Sequence, residues 1–220
     1  MNSDQLRKNL WFKELPLIAI LRGVEPSEVL DMAEVLIDNG FRFIEVPLNS
    51  PKAIFSIEKL VEKYGDKAFI GAGTVTDIEK LKPVLQTGAK LIVTPNMNPD
   101  VIRLARTHDC VVFSGVQTAT EAFSAVDCGV TALKFFPAEL IQPLGVKAIK
   151  SVLPSEVICC PTGGIEANSE QMKSYLEVGA DGFGLGSALY KKGMKPLELN
   201  IRAKAYRDSW NNIQHITHNT

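Results

Sequence analysis

No stretch of this chain approaches the roughly 18 uninterrupted apolar residues that mark a membrane-spanning helix. The opening, Met1-Asn2-Ser3-Asp4-Gln5, also lacks the basic-then-apolar layout of a secretory signal. A cytoplasmic protein with no membrane partner is therefore expected. An excess of one charge is missing too, since 24 Lys and Arg stand against 25 Asp and Glu in 220 residues. Without a global basic field, nucleic acid is not expected as a partner, and any anion site must be local. Cysteine is sparse: Cys110, Cys128, Cys159 and Cys160 form no C-x-x-C pair and fit no disulfide framework, so reduced thiols packed as small hydrophobes are expected. The three histidines, His108, His215 and His218, are scattered. With no cluster of His, Cys and carboxylates at ligand spacing, neither a metal site nor a cofactor is expected.

What the chain does have is a rhythm of short apolar runs separated by segments of helical periodicity. A polar opening, Asp4 to Phe12, suits a short helix. Leu17-Ile18-Ala19-Ile20-Leu21 is then followed by Pro26 to Asn39, with Val29, Leu30, Ala33, Leu36 and Ile37 at helical spacing. Phe43-Ile44-Glu45-Val46-Pro47 leads to a helix that opens at Ser50-Pro51. Further runs stand at Phe69 to Ala72, Leu91 to Thr94, Val111 to Phe113, Ala132 to Phe136, Val157 to Cys160 and Gly182 to Leu185. Helices between them end at Thr87-Gly88, Cys128-Gly129 and Val178-Gly179, where glycine can take the left-handed conformation that stops a helix.

Successive runs start roughly 20 to 26 residues apart, which suits a repeating strand-helix unit. Eight such units, with no linker and no G-x-G-x-x-G after the first run, predict an α/β fold. The expected architecture is a single (βα)8 TIM barrel over residues 1–220 with a short N-terminal helix. Pro196 to Asn212 reads as the closing helix, with a loose tail from Ile213.

Two ionisable residues sit where strands should be apolar. In Ala132-Leu133-Lys134-Phe135-Phe136-Pro137, strand alternation puts Ala132, Lys134 and Phe136 on one face. A lysine that points with core side chains is desolvated, which disfavours its ammonium. The resulting neutral amine is the form that attacks a carbonyl to make a Schiff base. The ordinary alternative is a strand-end lysine that snorkels to water or pairs with a carboxylate. The same parity groups Ile18, Ile20 and Arg22 on strand one, Phe43, Glu45 and Pro47 on strand two, and Ile70, Ala72 and Thr74 on strand three. If those faces point inward, Arg22, Glu45, Thr74 and Lys134 converge at the C-terminal mouth of the barrel. Glu45 would then be either a buried ion-pair partner or a catalytic carboxylate with a tuned pKa. Two glycine-rich turns, Pro161-Thr162-Gly163-Gly164 and Gly184-Leu185-Gly186-Ser187, follow strands seven and eight. Such barrels often bind phosphate there through free backbone N–H groups.

The chain resembles the class I aldolases that cleave 2-keto-3-deoxy-6-phospho-sugar acids, the KDPG and KDPGal aldolases. The resemblance runs from Leu15 to Ala205 and is carried by Leu-Lys-Phe-Phe-Pro-Ala-Glu at 133–139, Gly-Ala-Gly-Thr-Val at 71–75, Pro-Thr-Gly-Gly-Ile at 161–165 and the glutamate on strand two. It implies a Schiff-base lysine at Lys134, a general acid/base at Glu45, pyruvate contact at Thr74, and phosphate-binding turns at Gly163, Gly164, Gly186 and Ser187. The implied products are pyruvate and D-glyceraldehyde 3-phosphate, and the implied assembly is a homotrimer. Ile-Leu-Arg-Gly at 20–23, Pro-Leu-Asn-Ser-Pro at 47–51 and Gly-Leu-Gly-Ser-Ala-Leu-Tyr at 184–190 are similar to the phosphogalactonate enzymes. Phosphogluconate enzymes carry an arginine for the substrate carboxylate where this chain has Asn49, and Arg22 is the natural replacement. Thr162 and Phe-Phe-Pro-Ala-Glu point the other way, to the phosphogluconate enzymes, with the threonine where the C4 hydroxyl would be read. The expected reaction is reversible cleavage of 2-dehydro-3-deoxy-6-phosphogalactonate, with the C4 epimer 2-dehydro-3-deoxy-6-phosphogluconate as the alternative. Metal-assisted or proton-transfer chemistry in a phosphate-binding barrel, and a non-catalytic sugar-phosphate binder, are the competing readings.

Overall fold

The computed structural model describes the backbone of residues 1–218 and the side chains of residues 1–214. Two short helices, α1 (Ser3–Lys8) and α2 (Leu10–Glu14), precede an alternation of strands and helices. Its first half is β1 (Leu17–Ile20), α3 (Val29–Asp38), β2 (Phe43–Pro47), α4 (Ala53–Tyr64), β3 (Phe69–Gly73), α5 (Ile78–Gln86), β4 (Leu91–Val93) and α6 (Pro99–Thr107). The second half is β5 (Val111–Val116), α7 (Ala119–Asp127), β6 (Ala132–Phe135), α8 (Ala138–Lys150), β7 (Ile158–Pro161), α9 (Ser169–Leu176), β8 (Phe183–Leu185) and α10 (Pro196–His218).

Side-chain caps start several helices: Asn98 accepts from the N–H groups of Asp100 and Val101 ahead of α6, and Thr118 and Glu121 form a reciprocal capping box on α7. Gly88, Gly129 and Gly179 stand at φ +79°, +78° and +97° just past α5, α7 and α9, as expected. The single N-terminal helix expected from sequence is two helices, because Asn9 leaves helical geometry and caps α2 by accepting from Phe12 N–H. The loose tail expected from Ile213 is also corrected. Helix α10 continues to His218, and Ile213 is buried against the core; residues 219 and 220 lie outside the described residues.

The strands pair in the order β7-β6-β5-β4-β3-β2-β1-β8, each pair parallel, and form a (βα)8 barrel. Its last seam, β7 to β8, is narrow. A single bridge, Thr162 to Gly184, joins the upper part, and Asp181 N–H donates to the Cys159 carbonyl at 2.8 Å lower down.

Alternation along the strands divides the core in two. One set, including Ala19, Ile44, Val46, Ile92, Leu133 and Phe135, packs against the helices. The other fills the barrel with Ile18, Phe43, Leu91, Val93, Val111, Phe113, Ala132, Ile158 and Cys160, and with Leu6 and Phe12 from the N-terminal helices. Phe43 and Phe69 stack at 5.1 Å between ring centroids, with Phe12 and Trp11 edge-on to them at 5.7 and 5.5 Å. The N-terminal helices thus close the bottom of the barrel, and a buried aromatic such as Phe12 contributes roughly 2 to 3 kcal/mol there. The top is left for chemistry.

Candidate active site

Lys134 lies on β6 between Gly115 of β5 and Cys160 of β7, on the inward face with Ala132. It is 6% exposed, with Nζ 4.9 Å from the centroid of the Phe136 ring. Burial lowers its pKa, the Glu45 charge opposes that, and the Arg22 charge adds to it. Glu45 lies on β2 in register with Ile20 of β1 and Gly71 of β3, and is 1% exposed. Its Oε2 is buried without a hydrogen-bond partner. Burial pushes the carboxyl up to about 7 against the opposing pull of Lys134 and Arg22. Among the described residues no ion pair within 4.0 Å joins Glu45 to Lys134. In both groups desolvation outweighs attraction, which favours the neutral forms: an amine able to act as a nucleophile and a carboxyl able to give or take a proton near neutral pH.

Above Lys134 opens a cleft of about 640 Å³. Its lining brings together Lys134, Arg22, Thr74, Thr162, Gly163, Gly186 and Ser187 from the sequence expectations. Glu45 is off the lining, just inside the wall against Gly73. Gly184 sits deeper, on the floor below Lys134, where a Cβ would collide with Thr162 Oγ1. Gly164 and Leu185 do not line the cleft. Gly164 faces Glu139, and Leu185 packs outward into the helix-facing core because β8 alternates.

The parity expected for β3 is corrected. Ile70 and Ala72 face the helices, while Gly71 and Gly73 are level with Glu45 and Pro47 on the inward side. Thr74 still reaches the cleft because its backbone turns left-handed, at φ +59°, directly after the strand. A threonine held in that region costs about 1 to 3 kcal/mol and is concentrated at functional sites.

Arg22 is exposed and donates through Nη1 to Asn49 Oδ1 at 2.8 Å, so the two positions weighed against each other in sequence are in contact. In the turn after β8, Leu189 and Tyr190 N–H groups donate back to the Gly186 carbonyl at 3.0 and 3.1 Å. Among the described residues, no hydrogen bond uses the N–H groups of Gly164, Ser187 or Ala188. Another groove, of about 660 Å³ between α4 and α5, includes Phe55 and Lys80 but none of the strand-borne ionisable groups. Volume alone does not mark the site; convergent chemistry does.

A family model described as KDPG and KHG aldolase matches residues 9–211. The chain belongs to that aldolase family. It is a carbon–carbon lyase. The 2-dehydro-3-deoxy-6-phosphogalactonate aldolase of Escherichia coli (strain K12) is 44% identical over 203 residues, which is 90% of this chain and 98% of the relative. A solved structure described as native KDPGal superposes with a TM-score of 0.88 at 42% identity, covering 91% of this chain and 97% of that one. A KDPG aldolase from Legionella pneumophila, with pyruvate captured at low pH as a covalent carbinolamine intermediate, superposes with a TM-score of 0.74 at 28% identity, covering 92% and 96%.

Sequence reasoning did not assign six residues on this aldolase's cleft to the site: Ile20, Pro95, Phe136, Tyr190, Lys191 and Lys192. The last three follow the Gly184–Ser187 turn in one loop, and two adjacent lysines beside an expected phosphate turn were a readable signal. Lys192 is paired with Glu25 at 3.1 Å, while Lys191 has no ion-pair partner among the described residues. Those residues include no His/Cys/carboxylate group of metal-binding size, and none of their helices is long and apolar enough to cross a membrane.

Proposed function

We propose that this aldolase uses a Schiff base at Lys134 to cleave 2-dehydro-3-deoxy-6-phosphogalactonate to pyruvate and D-glyceraldehyde 3-phosphate. The observation that carries the reading is a lysine 6% exposed on an inward strand face, with its pKa lowered by burial, beside a carboxyl whose Oε2 has no partner. The neutral amine adds to the C2 ketone, and the carbinolamine loses water to give an iminium. Glu45 takes the C4 hydroxyl proton as the C3–C4 bond breaks; the bonding pair moves into the enamine, and the aldehyde leaves. The enamine is protonated at C3, and water hydrolyses the iminium, which releases pyruvate and frees the amine. A carboxyl near pKa 7 serves both directions of proton transfer.

Arg22 grips the substrate carboxylate, steadied by Asn49, while the N–H groups of the Gly163 and Ser187 turns take the phosphate. The choice of phosphogalactonate rests on the 44% identity and on asparagine, not arginine, at 49. Its C4 epimer is the second reading, favoured by Thr162 on the cleft beside Lys134. We further propose that residues 1–220 act as one barrel domain in a cytoplasmic homotrimer. Large side chains left exposed at Phe55, Leu140, Leu144 and Leu197 support self-association, which sedimentation can measure. Borohydride in the presence of pyruvate should add a covalent adduct at Lys134, and an unchanged intact mass would remove the Schiff base.

A further inference from the structure

The turn after β8 is held from behind. Arg202, on α10, donates through Nη1 to the carbonyls of Ala188 at 3.1 Å and Ser187 at 3.4 Å, while its Nη2 is fixed by Glu198 at 2.8 Å. One turn along the same helix, Tyr206 Oη donates to the Ile165 carbonyl at 2.7 Å, and Gln171 of α9 donates to the Gly164 carbonyl at 2.7 Å. The carbonyls of both glycine-rich turns are thus drawn outward to helix-borne donors. Arg202 lines a separate hollow of about 420 Å³ behind the turn and is absent from the cleft lining, whereas Ser187 borders both.

In a planar trans peptide the C=O and the N–H point in opposite directions. The Ser187 carbonyl belongs to the same peptide unit as the Ala188 N–H, so drawing that carbonyl toward α10 turns the N–H away from α10. That N–H has no acceptor among the described residues. A cation on the carbonyl also polarises the unit and strengthens the opposite N–H as a donor. We propose that Arg202 is a positioning residue for the substrate phosphate, fixing the Ser187–Ala188 peptide so that the Ala188 N–H faces the cleft. The proposal rests on the phosphate reading of these turns given above.

The test compares the phosphorylated 2-keto-3-deoxy acid with the same acid lacking phosphate, using the full chain. Arg202→Met keeps the aliphatic stem and removes the donors. It should raise KM about tenfold for the phosphorylated acid and leave kcat/KM for the other acid unchanged. Borohydride trapping of the pyruvate adduct should also be unchanged, because that end of the cleft is not held by α10. Arg202→Lys, which retains the charge and can reach one carbonyl, should fall between the two and carries the same comparison at smaller amplitude. A preference for phosphate left undiminished in Arg202→Met would overturn the positioning role alone, as would an equal loss on both acids. Equal KM for both acids in the unmodified protein would overturn the phosphate reading, and this proposal with it.

Discussion

A Cβ on Gly73 would collide with both carboxylate oxygens of Glu45, so that carboxylate occupies the space that a side chain at 73 would need. Gly73 is absent from the residues with positive φ, so an alanine there meets no backbone objection and its whole effect falls on Glu45. Gly73→Ala should lower kcat about 100-fold, since a displacement near 1 Å at a reacting group costs that much. Steady-state kinetics with a melting curve on the same sample checks it. Lost activity with a nearly unchanged Tm is the expected pattern.

The buried carboxyl makes stability depend on pH. Glu45 rises from its ordinary value of 4.5 to about 7 on folding, so the folded chain binds that proton more tightly than the unfolded one. This contribution is complete below about pH 4.5 and is lost as the pH rises through about 7. Glu45→Gln cannot titrate and should stay level across that window, overtaking the unmodified protein by on the order of 3 kcal/mol above it. Urea unfolding at several pH values measures the difference. In the same variant the limb of the kcat profile near pH 7 should disappear.

Thr162 is 5% exposed, lines the cleft, and spends its hydroxyl on the Cys160 carbonyl at 3.3 Å. Thr162→Val preserves shape and removes the polar contact at the position where C4 stereochemistry would be read. The kcat/KM ratio between the two C4 epimers should change by about tenfold, as expected for one lost hydrogen bond in a recognition site. A coupled pyruvate assay on both epimers reads it, and an unchanged ratio would move the epimer choice elsewhere.

Asp181 secures the narrow seam at the bottom. Its carboxylate accepts from Cys159 N–H at 2.8 Å, pairs with Arg7 at 2.6 Å and Lys150 at 3.4 Å, and its side chain is 12% exposed. Asp181→Ala leaves the Cys159 N–H unpaired and removes the ion pairs to Arg7 of α1 and Lys150 of α8. A loss of about 2 to 3 kcal/mol is expected in chemical denaturation, with kcat retained because the cleft lies at the other end of the barrel.

The strand-helix rhythm was legible because parallel strands buried on both faces must be continuously apolar, as at Leu17 to Ile20 and Val111 to Phe113, and because left-handed glycines end the helices between them. Lys134 and Glu45 stood out for the same reason: an ionisable residue in such a run breaks the rule that buries it. Counting alternate residues sufficed for β1, β2 and β6, whose inward positions it assigned. It failed on β3, where Gly71 and Gly73 carry no side chain to reveal which face is inside.

Local pattern thus determined the barrel, the lysine and its carboxylate, since periodicity and polarity are properties of neighbours in the chain. Contacts between distant segments were decided only on folding. They include Thr74 swung into the cleft by its left-handed backbone, Glu45 seated in the space left by Gly73, and Arg22 held by Asn49. Arg202, reaching from the last helix to the back of the β8 turn, is of the same kind. Such contacts depend on which strands become neighbours when the barrel closes, and tertiary packing alone sets that.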